Sequence, residues 1–332
     1  MKRWVVGITG GAGYIGSSLA KHFVKSFDVK LIDVREPKQK FNGNSSFQYC
    51  DVRNYEGVKE VLENVDFVVH TAIIQIPVIT EQKRLGYEVN FLGTQNVCRA
   101  VDENVRVKGL ILSSSWHTIG ERDLNGVIDE EFGFRPDKVE GRARLYALAK
   151  IAQESVVRFY DEMSEKVFAV IRMGTALGEG MPEKTAANIF ITNGLAGKPL
   201  TPFKHSMFRP MLYVDIDDIC IAYENLARKI LKNDIKKEEN SMAHIFNVYY
   251  PEPVTIIDLA EICKEAIVMY SKGRIQPEIN LVDTGQPILF DAKDKSVIKV
   301  DVNKALSFLD IEKLKSPKES IETIVKSRIK TD

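Results

Sequence analysis

Tyr146 and Lys150 are the pair whose residue types and spacing best suit proton transfer. They lie four residues apart in a stretch whose apolar positions predict a helix over 145–163, and residues at i and i+4 share a helix face. A free tyrosine has a pKa of about 10, but a nearby positive charge favours the phenolate. The pair can therefore exchange a proton with a bound hydroxyl compound. The same spacing also arises by chance, so the chemistry needs support from a further group.

Ser115 ends a run of three serines that follows an apolar stretch at 109–113. This stretch is the fifth predicted strand, and the ligands of a doubly wound sheet bind outside the carboxyl ends of its strands. The Ser115 hydroxyl can there hydrogen-bond the oxygen that Tyr146 deprotonates. A serine run is also compatible with a polar strand end that does no chemistry.

Gly10, Gly13 and Gly16 come directly after a predicted strand over 4–9 and open a predicted helix over 14–27. In this setting the first glycine permits a tight turn, and the second lets the backbone approach a pyrophosphate. The third lets the helix pack closely on the sheet. Backbone N–H groups at the helix N-terminus attract a diphosphate. The pattern therefore predicts a dinucleotide site, and a tight turn without a ligand is the alternative.

Asp33 ends the second predicted strand, over 29–33. It follows Gly16 at roughly the spacing (~20 residues) at which a carboxylate binds the adenosine ribose. Because a carboxylate here repels a 2′-phosphate, NAD is favoured over NADP. Arg35 is the opposing observation, but a solvated surface charge is the preferred interpretation of it.

Short β-branched runs alternate with amphipathic stretches through the first half of the chain. Strands are predicted over 4–9, 29–33, 46–50, 67–70, 109–113 and 167–172, and helices over 14–27, 55–63, 90–103 and 145–163. Because parallel strands need crossover connections, this alternation predicts a parallel sheet covered on both faces. The predicted fold class is α/β, with a Rossmann doubly wound parallel sheet.

Glycine and proline interrupt the chain after residue 173, and the elements become more widely spaced. Helices are predicted over 185–195, 217–231, 256–270 and 316–327, and a strand over 244–248. We predict an NAD-binding Rossmann domain over 1–173, to which 211–250 returns. A smaller, interleaved C-terminal α/β substrate-binding domain is predicted over 174–210 and 251–332.

The composition excludes several classes of protein. The 332 residues are 44% hydrophobic and 28% charged, which is ordinary for a globular protein. The 46 basic and 46 acidic residues give no net charge, so nucleic acid is not an expected partner. The widely separated cysteines predict buried thiols in a reducing compartment and no metal site. No apolar run reaches the ~18–20 residues of a membrane span, which predicts a cytoplasmic protein without membrane contact.

These motifs, in this order, resemble the extended short-chain dehydrogenases/reductases, specifically their NAD-dependent nucleotide-sugar epimerase/dehydratase family. The resemblance is carried by 9–16, Asp33, 51–53, 69–72, 90–97, 113–115, Tyr146, Lys150, 171–172, Arg209 and 213–215. These segments span nearly the whole chain. They are specific for the family and much less specific for the reaction.

The resemblance implies a role for each matching residue. Tyr146 is the catalytic acid/base, Lys150 holds the nicotinamide ribose and lowers the tyrosine pKa, and Ser115 is the catalytic Ser/Thr. The residues implied to border the cofactor NAD are Gly10, Gly13, Tyr14, Ile15, Gly16, Asp33, Asp51, Val52, Thr71, Ala72, Asn90 and Lys150. The family's 4-epimerases oxidise the sugar C4 hydroxyl by hydride transfer to NAD and return the hydride to the other face.

Two departures from the family pattern concern the substrate. The 4,6-dehydratases of the family have an Asp-Glu pair where this chain has Trp116 and His117, so dehydration is disfavoured. His117 is either an extra acid/base or a wall of the pocket. Arg209 matches the first of two arginines that clamp the diphosphate, but the second position holds Gln286, which cannot make a charge-assisted bidentate contact.

Two functional hypotheses follow. The first is an NAD-dependent epimerase of a nucleotide-linked sugar, in which Ser115, His117 and Arg209 contact the substrate. The second is a net NAD-dependent dehydrogenase or reductase of a small sugar, sugar acid or hydroxy compound. A non-catalytic NAD-binding protein is a third possibility, against which the intact Ser–Tyr–Lys set argues. The resemblance also implies a homodimer that pairs the helices at 90–103 and 145–163.

Overall fold

A seven-stranded parallel sheet forms the centre of the protein. The computed structural model describes residues 3–38 and 43–329. The strands are β1 (Val5–Thr9), β2 (Asp28–Asp33), β3 (Ser45–Tyr49), β4 (Phe67–His70), β5 (Gly109–Ser115), β6 (Gly126–Ile128), β7 (Val167–Met173), β8 (Thr175–Leu177), β9 (Pro210–Met211), β10 (Tyr213–Asp215), β11 (Ile245–Val248), β12 (Val254–Thr255) and β13 (Ile298–Val300). The central sheet has the order β3-β2-β1-β4-β5-β7-β11, and every neighbouring pair is parallel.

Helices connect the strands and cover the sheet. They are α1 (Tyr14–Phe23), α2 (Tyr55–Leu62), α3 (Val78–Glu81), α4 (Lys83–Tyr87), α5 (Thr94–Glu103), α6 (Gly141–Met163), α7 (Ala186–Leu195), α8 (Ile216–Leu231), α9 (Ile256–Tyr270), α10 (Asn303–Phe308) and α11 (Pro317–Arg328). A π-helical segment, Glu88–Gly93, leads directly into α5.

The strand order reverses once. From β1 the chain moves outward to β3, then crosses back to β4 and continues in the other direction. This is the order of a doubly wound nucleotide-binding sheet, whose ligand crevice lies at the carboxyl ends of the strands where the order reverses. Here that point lies between β1 and β4. The predicted α/β Rossmann fold class is therefore confirmed.

The core lies on both faces of this sheet. Leu19 of α1 and Leu226 of α8 belong to one buried cluster. Val58 of α2, Val97 of α5 and Val157 of α6 belong to the cluster on the opposite face. Because helices cover both faces, β4, β5 and β7 are buried at every position. This explains why each of them begins with a continuous run of apolar residues rather than an alternating pattern.

Several boundaries differ from the prediction; the helix predicted over 90–103, for example, begins as α5 at Thr94 and is preceded by the π-helical segment. β5 extends to Ser115, so the serine run belongs to the strand rather than following it. α6 begins at Gly141, four residues before the predicted start. The prediction missed this first turn because it carries a glycine and two arginines and shows no apolar periodicity. α1 ends at Phe23, although the buried Phe27 continues the apolar pattern.

The segments after β7 form smaller units. β8 pairs with β10 and β6 with β13, both in parallel, and β9 pairs with β12 in antiparallel. α7 and α11 both pack on α9. The two predicted domains and their boundaries stay a prediction.

The prediction that the cysteines are buried thiols is confirmed. The four cysteines, all free and buried, are Cys50, Cys98, Cys220 and Cys263. Within residues 3–38 and 43–329, no helix is long and apolar enough to cross a membrane.

Candidate active site

The glycine turn lies at the carboxyl end of β1, where the strand order reverses. Gly10 adopts a φ of 70°, a left-handed conformation that glycine adopts without strain. A Cβ atom on Gly10 would lie 2.6 Å from the Ala72 backbone nitrogen, and one on Gly16 would lie 2.4 Å from the Gly10 carbonyl oxygen. Both positions therefore require glycine on packing grounds. At Gly13 a Cβ atom would meet one atom, at 3.2 Å, so the backbone there is open to a ligand.

Asp33 lies beside this turn at the end of β2. Its Oδ2 accepts the Ala12 N–H at 3.0 Å and its Oδ1 accepts the Arg35 N–H at 3.1 Å. An ionised carboxylate has about four acceptor sites, so acceptors remain for ribose hydroxyls. The open backbone at Gly13, the first turn of α1 with Tyr14 and Ile15, and the Asp33 carboxylate together fit a dinucleotide.

The remaining predicted cofactor residues lie on neighbouring loops. Thr71 donates its hydroxyl to the Thr9 carbonyl at 2.7 Å, which joins the loop after β4 to the glycine turn. Asn90 accepts the Ile74 N–H at 2.7 Å and donates to the Ile74 carbonyl at 3.0 Å. Its amide therefore fixes the loop that follows Ala72, rather than facing a ligand.

Asp51 and Val52 follow β3. The Asp51 carboxylate is occupied by Arg53, whose Nη2 lies 2.6 Å from Oδ2, and this hydrogen bond lowers the pKa of Asp51. Val52 is buried, and a Cβ atom on Gly93 would lie 2.6 Å from its Cγ2. The loop is thus held against the π-helical segment that precedes α5.

Ser115, Tyr146 and Lys150 meet where β5 ends against α6. Burial raises the pKa of Tyr146, and the Ser115 hydroxyl lowers it in part. Burial also lowers the pKa of Lys150 to about 7, an effect that Glu154 opposes. The Lys150 Nζ donates to the Ser113 carbonyl at 2.5 Å. This hydrogen bond fixes the ammonium at the end of β5, and the role of Lys150 in lowering the pKa of Tyr146 stays a prediction.

A buried polar network fixes the end of β5 and the part of α6 that carry Ser115 and Lys150. Arg172 and Glu154 form an ion pair with Nη2 and Oε1 2.6 Å apart, and both side chains are almost completely buried. Ser114 donates its hydroxyl to Glu154 at 2.9 Å. Tyr223 of α8 donates to the Ser113 hydroxyl at 2.7 Å. The strand end that carries Ser115 is thus fixed by side chains from α6, β7 and α8.

His117 and Arg209 belong to a cluster of charged groups that the sequence did not indicate. Glu121 is completely buried and lies 3.5 Å from His117, 3.4 Å from Arg142 and 3.9 Å from Arg209. Arg209 Nη1 also lies 3.4 Å from Glu140 Oε2. The only sequence feature that could have indicated this cluster is the spacing of His117 and Glu121, which lie four residues apart.

Arg209, which was predicted to contact the substrate, is occupied mainly by these two carboxylates. Its Nε is buried without a hydrogen-bond partner among the described residues. Its guanidinium carbon lies 5.9 Å from the centroid of the Phe290 ring. Gln286, at the position of the family's second arginine, lies on an exposed loop.

Gly16→Ala is expected to weaken NAD binding by about tenfold or more, equivalent to about 1.4 kcal/mol. The added Cβ would lie 2.4 Å from the Gly10 carbonyl oxygen and would displace the turn. Titration calorimetry with NAD measures the loss. Gly141→Ala is the matched control, because a Cβ atom at the start of α6 meets no atom within 4 Å. Equal affinity of both variants for NAD would contradict the assignment of the turn.

With NAD removed, Lys150→Met is expected to raise the free energy of unfolding at pH 7 by about 2 kcal/mol. Removing the charge penalty, about 4 kcal/mol for this pKa shift, outweighs the lost hydrogen bond to the Ser113 carbonyl. Burial lowers the pKa of Lys150 from 10.5 to about 7, so between these values the unfolded chain binds a proton that the folded chain does not. This penalty is complete below about pH 7 and disappears as the pH rises to about 10. Urea unfolding of both proteins across that interval measures the change. A difference that is independent of pH would contradict the prediction.

The fold and the glycine turn define a dinucleotide-binding protein of the Rossmann type. The profile of the NAD dependent epimerase/dehydratase family matches residues 6–237. The chain therefore belongs to the NAD-dependent epimerase/dehydratase family of enzymes, and NAD is the cofactor.

Individual relatives show the range of this family. UDP-glucose 4-epimerase of Rickettsia canadensis is 27% identical over 235 residues, which cover 66% of this chain and 62% of that protein. Cinnamoyl-CoA reductase 1 of Petunia hybrida is 26% identical over 235 residues, 66% of this chain and 67% of that protein. A structure of UDP-glucuronic acid 4-epimerase from Bacillus cereus with NAD has a TM-score of 0.75 at 20% identity, covering 97% of this chain and 99% of that chain.

Proposed function

We propose that the protein is an NAD-dependent epimerase of a nucleotide-linked sugar, which acts by transient oxidation at C4. The observation that supports this best is that the glycine turn and the group of Ser115, Tyr146 and Lys150 lie at the carboxyl edge of one sheet. A hydroxyl compound in that crevice has a proton acceptor and a hydrogen-bonding serine beside the dinucleotide turn.

Tyr146 holds the proton in both halves of the proposed reaction. NAD, when bound, supplies the oxidant and then the reductant for the same carbon. Tyr146 takes the substrate proton at Oη as the carbon is oxidised and returns it as the carbon is reduced. Ser115 Oγ hydrogen-bonds the reacting oxygen. Lys150, whose Nζ donates to the Ser113 carbonyl, would bind the nicotinamide ribose.

The residue that follows Ser115 favours epimerisation over dehydration. Trp116 is buried, and its Nε1 donates to the Thr175 hydroxyl at 3.2 Å. It therefore packs into the protein and supplies no acid. Elimination of water needs a group that protonates the leaving hydroxyl, and this position provides none.

The proposal is tested by incubating the purified protein with UDP-, dTDP- and GDP-linked hexoses and following the sugar resonances by NMR. The expected result is conversion of one C4 epimer into the other, without net growth of the NADH absorbance band. Loss of the C6 hydroxyl would indicate a dehydratase instead. The absence of any conversion across the three series would contradict the proposal.

A second candidate is a net NAD-dependent dehydrogenase or reductase of a small sugar, sugar acid or hydroxy compound. The observation that favours it is that Arg209 is occupied by Glu121 and Glu140 while Gln286 carries no charge. A diphosphate clamp of two free arginines is therefore not formed. This candidate predicts NADH in proportion to the substrate consumed, with free sugars or sugar acids and without a nucleotide.

We further propose that the protein is a homodimer that pairs α5 and α6 across a two-fold axis. Leu148, Phe159 and Met163 lie along α6 and are 41%, 69% and 55% exposed, and Leu92 before α5 is 48% exposed. A self-complementary apolar face of this kind suits a two-fold contact. Light scattering at micromolar concentration is expected to give twice the mass of the chain, and Phe159→Glu is expected to halve it.

A further inference from the structure

Ser115 is in contact with His117 through two different groups. His117 Nδ1 lies 3.2 Å from Ser115 Oγ, and the His117 backbone N–H donates to the same oxygen at 3.3 Å. A serine hydroxyl has one hydrogen to donate and two lone pairs. One lone pair is thus used by the backbone. The hydrogen and the other lone pair remain to be shared among His117, the Tyr146 phenol and a bound substrate.

Glu121 determines which imidazole nitrogen carries a hydrogen. Its Oε1 lies 3.5 Å from His117 Nε2, and its Oε2 accepts the Glu140 N–H at 2.8 Å. Burial opposes the ionisation of Glu121, but His117 and Arg142 outweigh it and hold the pKa of Glu121 below its usual range. An ionised carboxylate can only accept. A hydrogen on Nε2 therefore suits this contact, and it leaves Nδ1 of a neutral imidazole as an acceptor.

We propose that Glu121 and His117 set the direction of the Ser115 hydroxyl, so that it accepts from a substrate alcohol when His117 is neutral and donates to a substrate ketone when His117 is protonated. With neutral His117, Ser115 donates to Nδ1 and offers its free lone pair to the substrate. With protonated His117, Nδ1–H donates to Ser115, and the serine hydrogen turns to the substrate oxygen. A ketone oxygen has only lone pairs and needs this donor.

The inference rests on the proposed function, because it takes Ser115 as the residue at the reacting oxygen. His117 and Glu121 act through Ser115 and are positioning residues. His117 is itself held between two rings. Its centroid lies 4.4 Å from that of Trp116 and 5.6 Å from that of Tyr146, the latter in an edge-to-face contact.

Two carboxylates and two arginines surround His117, and their charges balance while the imidazole is neutral. Arg142 and Arg209 contact the same Glu121 oxygen, Oε1, that faces His117. Glu140 neutralises part of both arginine charges. Tyr146 contributes an uncharged ring while its phenol is protonated. Lower pH therefore favours the donor form of Ser115.

The hydrogen positions are tested by nitrogen NMR on the protein with isotope-labelled histidine, using His117→Asn to identify the His117 signals. At alkaline pH, Nε2 is expected to be protonated and Nδ1 to be an acceptor. Ser115→Ala is expected to move the Nδ1 signal and to leave Nε2 nearly unchanged. A neutral His117 with its proton on Nδ1, or an Nδ1 signal that Ser115→Ala does not move, would overturn the proposal. This readout requires no turnover.

The functional consequence is tested on the protein loaded with NAD and mixed with UDP-glucose, from the ratio of reduced to oxidised cofactor at equilibrium. The quantity compared is the wild-type ratio divided by the ratio in His117→Asn at the same pH. This quotient is expected to rise about tenfold when the pH is lowered. A tenfold change corresponds to about 1.4 kcal/mol, the contribution of one hydrogen bond. His22→Asn, which replaces a histidine that pairs with Glu224 at 2.6 Å between α1 and α8, should behave like the wild type. A quotient that does not change with pH overturns the proposal.

If no sugar nucleotide reacts, the proposed function fails. The NMR result alone then decides the direction of the Ser115 hydrogen bond.

Discussion

Tyr146→Phe is expected to lower kcat for sugar epimerisation by a factor of about 10²–10⁴, the usual contribution of a general acid–base group. The substitution removes one oxygen from a half-buried ring that lies edge-on to His117. The packing of α6 therefore stays the same, and KM should change little. Steady-state kinetics with the nucleotide sugar that reacts in the NMR screen measures both constants.

Two controls separate lost chemistry from lost structure. Tyr146→Phe should bind NAD as the wild type does, because the glycine turn is unchanged. Tyr250→Phe removes a phenol oxygen beyond the end of β11, outside the site, and should retain full activity. If Tyr146→Phe retained its kcat, the tyrosine would have no part in the reaction.

Arg172→Met is expected to lower the free energy of unfolding by about 3–5 kcal/mol, because it leaves the buried Glu154 carboxylate without its partner. The guanidinium has two direct contacts with that carboxylate through Nε, at 3.1 Å each, and a third through Nη2 at 2.6 Å. It also donates to the Glu130 carbonyl at 2.8 Å. Urea denaturation, followed by circular dichroism, measures the loss.

The matched control is the double variant Arg172→Met with Glu154→Leu. Replacing both partners of a buried ion pair by apolar residues is often neutral, so most of the lost stability should return. The Ser114 hydroxyl loses its acceptor in this variant, which accounts for an incomplete recovery. A single variant that is as stable as the wild type would show that the ion pair does not stabilise the fold.

The parts of the site that depend on local spacing were predictable from the sequence. Gly10, Gly13 and Gly16 follow a strand and open a helix, and Tyr146 and Lys150 share one helix face. Each of these relations holds within a few residues of chain. The strand that carries Ser115 was recognised in the same way, from one short apolar run.

The charged cluster around Glu121 could not be predicted, because its members come from separate parts of the chain. Glu121, Arg142 and Arg209 approach within 4 Å only after β5, α6 and the segment before β9 have packed together. The pKa of Lys150 could not be predicted for the same reason, because it depends on tertiary packing. A sequence shows that a lysine lies one turn from a tyrosine, but burial against β5 decides its charge.

The lateral position of β11 has a consequence for folding during synthesis. Asn247 pairs with Arg172, so the outermost ladder of the sheet forms between strands that are far apart along the chain. Until that distant segment leaves the ribosome, β7 presents an unpaired row of N–H and C=O groups, a feature that promotes aggregation. Nascent chains truncated before residue 245 should therefore depend on chaperones, and those that extend past residue 248 should not.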